Sequence, residues 1–214
     1  MSALLFWRSG VLTERNNLAT LELEQLLNAT GVHQETARAL KDLLLRHRRQ
    51  IETFSAKCLV LHLAGPDREL IGDLIHVVDR FHGHSSVEVD MTTANEPSLL
   101  DTIVPVLRRD RSSIFVLQNS DAPGSLDLLR LLQEPFSKET PWLMTSEGKV
   151  DAYGAIFVLT TGMGALLHGE MSRNTMLETV ALEMEVAWKQ PSLLARIKPG
   201  VVPVLSRDGG VLSS

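Results

Sequence analysis

Residues 57–72, KCLVLHLAGPDRELIG, join an apolar run to a Gly-Pro turn and then to a helix-like segment. A chain in that order can cradle phosphate. Backbone N–H groups of a glycine-rich turn and of the helix N-terminus face the anion, a lysine reaches its outer oxygens, and a Ser or Thr hydroxyl sits on Mg²⁺. The pattern for that chemistry, G-x-x-x-x-G-K-[ST], would begin at Gly65 and require Gly at 70, Lys at 71 and Ser or Thr at 72. The chain has Leu70, Ile71 and Gly72 there. The inner positions are Arg68 and Leu70, where a phosphate-wrapping loop needs the positive φ that glycine adopts freely. A non-glycine residue held there costs roughly 1 kcal/mol or more. Asp67 and Glu69 add two carboxylates where phosphate would sit, with Arg68 to offset them. The loop Gly65, Pro66, Asp67, Arg68, Glu69, Leu70, Ile71 and Gly72 therefore has the frame of a phosphate site and not its chemistry.

Other candidates are weaker. His82-Gly83-His84, near Asp79, lacks the helical spacing of zinc ligands and reads as a solvated loop, so no metal is expected. His62, inside the apolar run, reads as a hydrogen-bonded core histidine, and Cys58 as a buried, inert thiol. Gly162-Met163-Gly164 lacks the third glycine of a dinucleotide fingerprint, and no G-x-S-x-G nucleophile turn occurs.

The elements that must position these residues alternate. Helical spacing is read over residues 18–27, 34–51, 68–81, 97–107, 125–132 and 174–188. Pro97 is expected in a first turn, Pro105 to bend that helix near its end, and Ser125 to cap the next. Near-continuous apolar strands are read at 57–64, 112–117 and 155–160, a short edge-side strand at 86–91, a last strand at 201–205, and a hairpin around Ser146–Lys149. This alternation predicts an α/β domain of three layers with a largely parallel sheet, ligands meeting the carboxyl ends of its strands. The expected division is a helical extension over 1–56 packed on the core, an α/β core over 57–206, and a flexible tail over 207–214.

A length of 214 residues suits one sizeable core, and the net charge of −5 argues against nucleic acid as the main partner. The cluster Arg46, His47, Arg48, Arg49 closes a helix whose dipole it complements. One cysteine excludes an internal disulfide. No run approaches the roughly 20 apolar residues of a membrane span, and SALLFW is too short for a signal-peptide core. The compartment stays open, with the cytoplasm the default.

Taken together, several segments resemble the AAA+ domain of the Clp chaperones and the related torsins. TGVHQETARALKDLL (30–44) is similar to the family's helix before the first strand, and the strand ending in Gly65-Pro66 to its Walker A strand. RDRSSIFVLQNSDAPGSLDLLRLLQEPF (109–136) resembles the Walker B region, and SEGKVDAYGAIFVLTTGMGA (146–165) the hairpin and sensor-1 strand. PSLLARIKPGVVPVL (191–205) resembles the segment with the arginine finger and last strand. The order and spacing hold over about 170 residues. The resemblance implies a P-loop-like AAA+ large domain with five strands in the order 5-1-4-3-2. It also implies that the C-terminal small domain of Clp chaperones is missing, since the chain stops just after the last strand.

The departures coincide. The family's Walker A lysine falls on Ile71. Its Walker B Asp and Glu fall on Gln118 and Asn119, amides that bring no charge to magnesium and cannot act as general base. Its sensor-1 Asn falls on Gly162. The arginine finger is retained as Arg196, which in the family acts on a neighbouring subunit's nucleotide. The resemblance thus implies a pseudo-ATPase without cofactor, a structural or regulatory partner of an active AAA+ ATPase, with Arg196 facing that partner. Torsin-like membership would suggest the endoplasmic reticulum lumen. Two alternatives remain. One is a divergent ATPase using ATP and Mg²⁺, with Arg68 in place of the lysine and Asp121 in place of the acid; the other is an unrelated α/β binding module.

Overall fold

Strand β1 (Leu59–Ala64) carries Leu61 and Leu63 toward one side of the sheet and Val60, His62 and Ala64 toward the other, and all five are buried. A strand buried on both faces needs helices on both sides, and these surround it. The computed structural model describes residues 17–53, 57–137 and 141–205. The expected tail and the first 16 residues of the expected extension lie outside the described residues.

Helix α1 covers residues 17–29 and α2 covers Gln34–Glu52. After β1 come α3 (Arg68–His82), β2 (Val87–Asp90), α4 (Glu96–Arg109), β3 (Ile114–Gln118) and α5 (Ser125–Leu131). The hairpin β4 (Trp142–Thr145) and β5 (Gly148–Asp151) follows, then β6 (Ile156–Thr161), α6 (Arg173–Trp188), α7 (Pro191–Ile197) and β7 (Val201–Pro203). The main sheet has five strands in the order β2-β3-β6-β1-β7, all parallel. Numbered along the chain and read from β7, that order is 5-1-4-3-2, as expected. Strand β2 lies at one edge, again as expected.

Alternation along the strands builds two cores. Leu61, Leu63, Ile114, Val116, Ile156, Val158 and Val202 pack against α1, α2 and α3. Val60, Phe115, Leu117, Phe157, Leu159 and Val201 pack against α4 to α7 and the hairpin. On that face Phe157 stacks on Phe115, ring centres 5.2 Å apart, and meets Phe136 edge-on at 5.3 Å. The N-terminal helices are tied to the last strand, for His33 N–H donates to Leu205 O at 2.8 Å and Thr36 Oγ1 to Pro203 O at 2.7 Å. No C-terminal small domain occurs among the described residues, and no helix among them is long and apolar enough to cross a membrane.

Some local details differ from the sequence reading. Pro105 does lie near the end of α4, and the helix runs on past it to Arg109. Pro105 and Asp101, whose carbonyl the proline leaves without a helical donor, are both exposed. Gly124, at φ 88°, caps α5 in place of Ser125, whose hydroxyl turns inward to Ser120 O at 2.5 Å. Helix α7, started by Pro191 and buried through Leu193, Leu194 and Ile197, was not read from the sequence. Cys58 is half-buried, and desolvation pushes its thiol pKa up.

Two buried histidines, His47 and His62, and the half-buried His82 join the layers. His47 Nε2 meets Gly154 O at 3.1 Å, and its ring lies 5.9 Å from His82 across the α2–α3 contact. His62 Nε2 meets Thr161 Oγ1 at 2.8 Å, linking β1 to β6. Burial pushes His62 down to about 3. Burial, with His47, Arg48 and His84 nearby, pushes His82 down to about 3 as well. A folded pKa below the unfolded value of 6.5 means that the unfolded chain takes the proton first as pH falls. The stabilisation is whole above pH 6.5 and is lost as pH falls toward 3. At pH 5 the expected loss from His62 alone is about 2 kcal/mol relative to pH 7. Denaturant unfolding at the two pH values checks this, and a His62→Asn chain should lose less by about that amount.

Candidate functional site at the carboxyl ends of the strands

The carboxyl ends of β1, β3 and β6 leave a cleft of about 270 Å³. Gly65, Pro66, Arg68, Ile71, Gly72, Gln118, Asn119 and Gly162 all line it. The fold therefore brings together most of the residues singled out in the sequence. Ile75, His76, Glu88, Thr160 and Thr161 complete the lining.

The turn after β1 is not the wide loop of a phosphate site, and the helix starts where its spacing placed it. Helix α3 begins at Arg68, and no residue from 65 to 72 has a positive φ. Arg68 and Leu70 are helical, so the strain expected of non-glycine residues in a phosphate-wrapping loop does not arise. Leu70 and Ile71 are each only 5% exposed and belong to the core beneath α1 to α3. The Asp67 carboxylate caps the helix, accepting from Leu70 N–H at 3.0 Å, and Glu69 follows in the first turn. These two acids stand at the positive end of the helix dipole, where a phosphate would otherwise be drawn.

Gly65 has a different reason to be glycine. A Cβ there would lie 2.8 Å from Val204 O and 3.0 Å from Val204 Cβ, closer than packing tolerates. A Cβ on Gly72 would meet nothing within 4 Å. The first glycine serves the approach of the chain after β7, where Val204 N–H donates to Ala64 O at 2.8 Å.

Across the cleft the two amides are tied to the edge strand. Gln118 Nε2 donates to Glu88 Oε2 at 2.8 Å, and Asn119 Nδ2 donates to Asp90 Oδ1 at 3.0 Å. The bond from Asn119, then those from Thr92, hold the Asp90 carboxyl below the usual carboxylate range. Asn119 takes φ 56°, which asparagine tolerates, and its N–H donates to Thr160 Oγ1 at 3.3 Å. Glu88 and Asp90 were missed as site residues. Their signal was the alternation in SVEVDM, which puts both on one side of β2. Gly162 N–H donates to Asp121 Oδ2 at 2.9 Å. Beneath, the buried His62 packs on Trp188, ring centres 5.5 Å apart, and Trp188 Nε1 donates to Ser120 O at 3.2 Å.

Arg68 is the only lysine or arginine among the lining residues. Among the described residues no group of three or more His, Cys, Asp or Glu is placed to hold a metal. His82 turns to His47, and His84 Nδ1 lies 3.4 Å from Asp110. Arg196 lies elsewhere, half-buried on α7, with Nη1 donating to Gln133 O. It lines a second cleft beside the amino ends of β1 and β7.

No family model and no curated protein matches the sequence. Solved structures do match in shape. The S. cerevisiae Hsp104–ADP complex superposes with a TM-score of 0.66 at 18% identity, over 90% of this chain and 37% of that one. A closed-state reconstruction of Hsp104 with ATPγS and FITC-casein gives 0.64 at 15% identity, over 89% of this chain and 36% of that one. The S. cerevisiae Hsp104–casein complex in an extended conformation gives 0.61 at 15% identity. The chain spans little more than a third of the Hsp104 chains it matches. At such identities the likeness shows the fold, that of the large domain of AAA+ proteins such as the Clp chaperone Hsp104.

The glycine geometry gives a paired test. Gly65→Ala should cost about 1–3 kcal/mol through overpacking, whereas Gly72→Ala, open and inside a helix, should gain up to about 1 kcal/mol. Denaturant midpoints of the two variants measure the contrast.

Proposed function

We propose that this chain is a non-catalytic AAA+-like domain of Clp or torsin type that acts by contact with a protein partner, as a structural or regulatory subunit beside an active ATPase. The observation that carries this reading is the capping of α3 by its own Asp67, with Ile71 packed in the core where a phosphate-binding lysine would have to stand. Phosphoryl transfer depends on charge stabilisation. Here the amides Gln118 and Asn119 are spent on Glu88 and Asp90, and Asp121 holds a backbone N–H. Hsp104 is described with ADP, ATPγS and casein; of these two kinds of ligand, protein suits this chain better.

The exposed face of α6 supports a partner contact. Leu182 and Val186 are 64% and 65% exposed, one turn apart, and border Met163 and Gly162 beside the cleft. Solvent-facing apolar pairs of this kind gain from being covered. The sharper form of the proposal keeps Arg196 as an arginine finger acting in trans, which requires its bond to Gln133 O to open.

Calorimetry of the pure chain with ATPγS and Mg²⁺ is expected to give no heat of binding. Magnesium-dependent binding that is abolished in Arg68→Ala would overturn the proposal in favour of a divergent ATPase. Once the native complex has been isolated and its ATPase identified, a Leu182→Asp/Val186→Asp chain should bind that ATPase at least tenfold more weakly, a difference of about 1.4 kcal/mol. If Arg196→Ala stimulates the partner's turnover as well as wild type does, the finger is excluded while the docking role stands.

A further inference from the structure

The second cleft, at the amino ends of β1 and β7, is basic, whereas the lining of the first balances one arginine, Arg68, with one acid, Glu88. It encloses about 240 Å³, and three cations from separate elements line it: Arg46 near the end of α2, Lys57 just before β1, and Arg196 on α7. None of its described lining residues is acidic, although the chain as a whole carries −5. Several cations elsewhere are matched, and exposed ones such as Arg49 and Arg109 stand singly among the described residues, whereas these three share one cleft. Arg38, Lys41, Arg108, Arg130 and Lys198 each lie 2.6–2.9 Å from a carboxylate oxygen. Arg46 and Lys57 have no ion pair or hydrogen bond among the described residues. Arg196 uses one donor on Gln133 O, leaving others of the five that a guanidinium carries. Leu43 and Phe136 give the same cleft an apolar wall.

We propose that this cleft binds a small phosphorylated organic anion, its phosphate between Arg46, Lys57 and Arg196 and its organic body against Leu43 and Phe136. Cations left unmatched in a confined space repel one another, and a dianion removes that repulsion. Guanidinium forks suit phosphate oxygens in pairs, which favours phosphate over a single carboxylate. The volume lies just under the roughly 300 Å³ at which pockets for drug-sized ligands begin, so the ligand is of metabolite size. The inference does not depend on whether the carboxyl-end cleft binds nucleotide.

The probe is phenyl phosphate, titrated calorimetrically into the full chain with benzoate as the carboxylate control. The expected result is saturable, salt-sensitive binding of phenyl phosphate, at least tenfold tighter than benzoate. Arg46→Ala and Lys57→Ala change exposed side chains and should fold normally, and each should weaken that binding at least tenfold. Arg68→Ala, at the opposite end of the sheet, should leave it unchanged. No binding at millimolar phenyl phosphate, equal affinity for benzoate, or affinity unaltered by Arg46→Ala and Lys57→Ala would each overturn the assignment. Loss of binding in Arg68→Ala would overturn it too, by moving the phosphate to the other cleft.

Discussion

The close approach of Gly65 to Val204 governs how the chain leaves the centre of the sheet. Strand β1 is hydrogen-bonded on both sides, to β6 and to β7. Its last residue, Ala64, still accepts from Val204, so the turn must pass within contact distance of the neighbouring backbone. Only a residue without a side chain fits there. With the exit direction set, Pro66 and Asp67 suffice to turn the chain, and α3 can begin at Arg68. A tight turn leaves no space for a ring of N–H groups around a phosphate. The glycine common to this turn and to phosphate-binding turns is thus explained by packing.

Hydrogen bonding within the chain accounts for the rest of that cleft. A helix N-terminus and a row of strand ends present N–H donors and amides that need partners. Here acidic side chains of the same chain supply several of them, Asp67 on α3, Glu88 and Asp90 on the two amides, and Asp121 on Gly162. A nucleotide entering would have to displace carboxylates that are already well placed and face their charge. The polar groups at the strand ends are therefore held by partners within the chain itself.

The two ends of the parallel sheet differ in charge. Asp67, Glu88, Asp90 and Asp121 gather where the strands finish, and Arg46, Lys57 and Arg196, with no carboxylate partner among the described residues, gather where β1 and β7 start. The cations come from a helix end, a strand approach and a short helix that are far apart in sequence. Arg196 belongs to the basic end, where it is anchored to the chain just beyond α5. Any action on a neighbouring molecule has to begin from that position.

Much of the fold was legible because apolar runs such as AIFVLT and helical spacing such as Leu70, Leu74, Val77 and Val78 state their burial directly. The residue types at the carboxyl-end cleft were legible too, since the absence of lysine at Ile71 and of acids at Gln118 and Asn119 needs no coordinates. Spacing placed the start of α3 at Arg68, where it lies, but could not say that Val204 closes down the turn before it. It could not pair Gln118 with Glu88 or Asn119 with Asp90, which meet only because β2 lies beside β3. It missed α7, whose seven residues are too short for a period to emerge and which is held by burial. The sequence by itself determined most of the elements and which side chain types stand at the strand ends, because both follow from local pattern and composition. Tertiary structure alone decided which charges face each other and which glycines, Gly65 and Gly200 among them, the packing requires, because those depend on distances between strands that are remote along the chain.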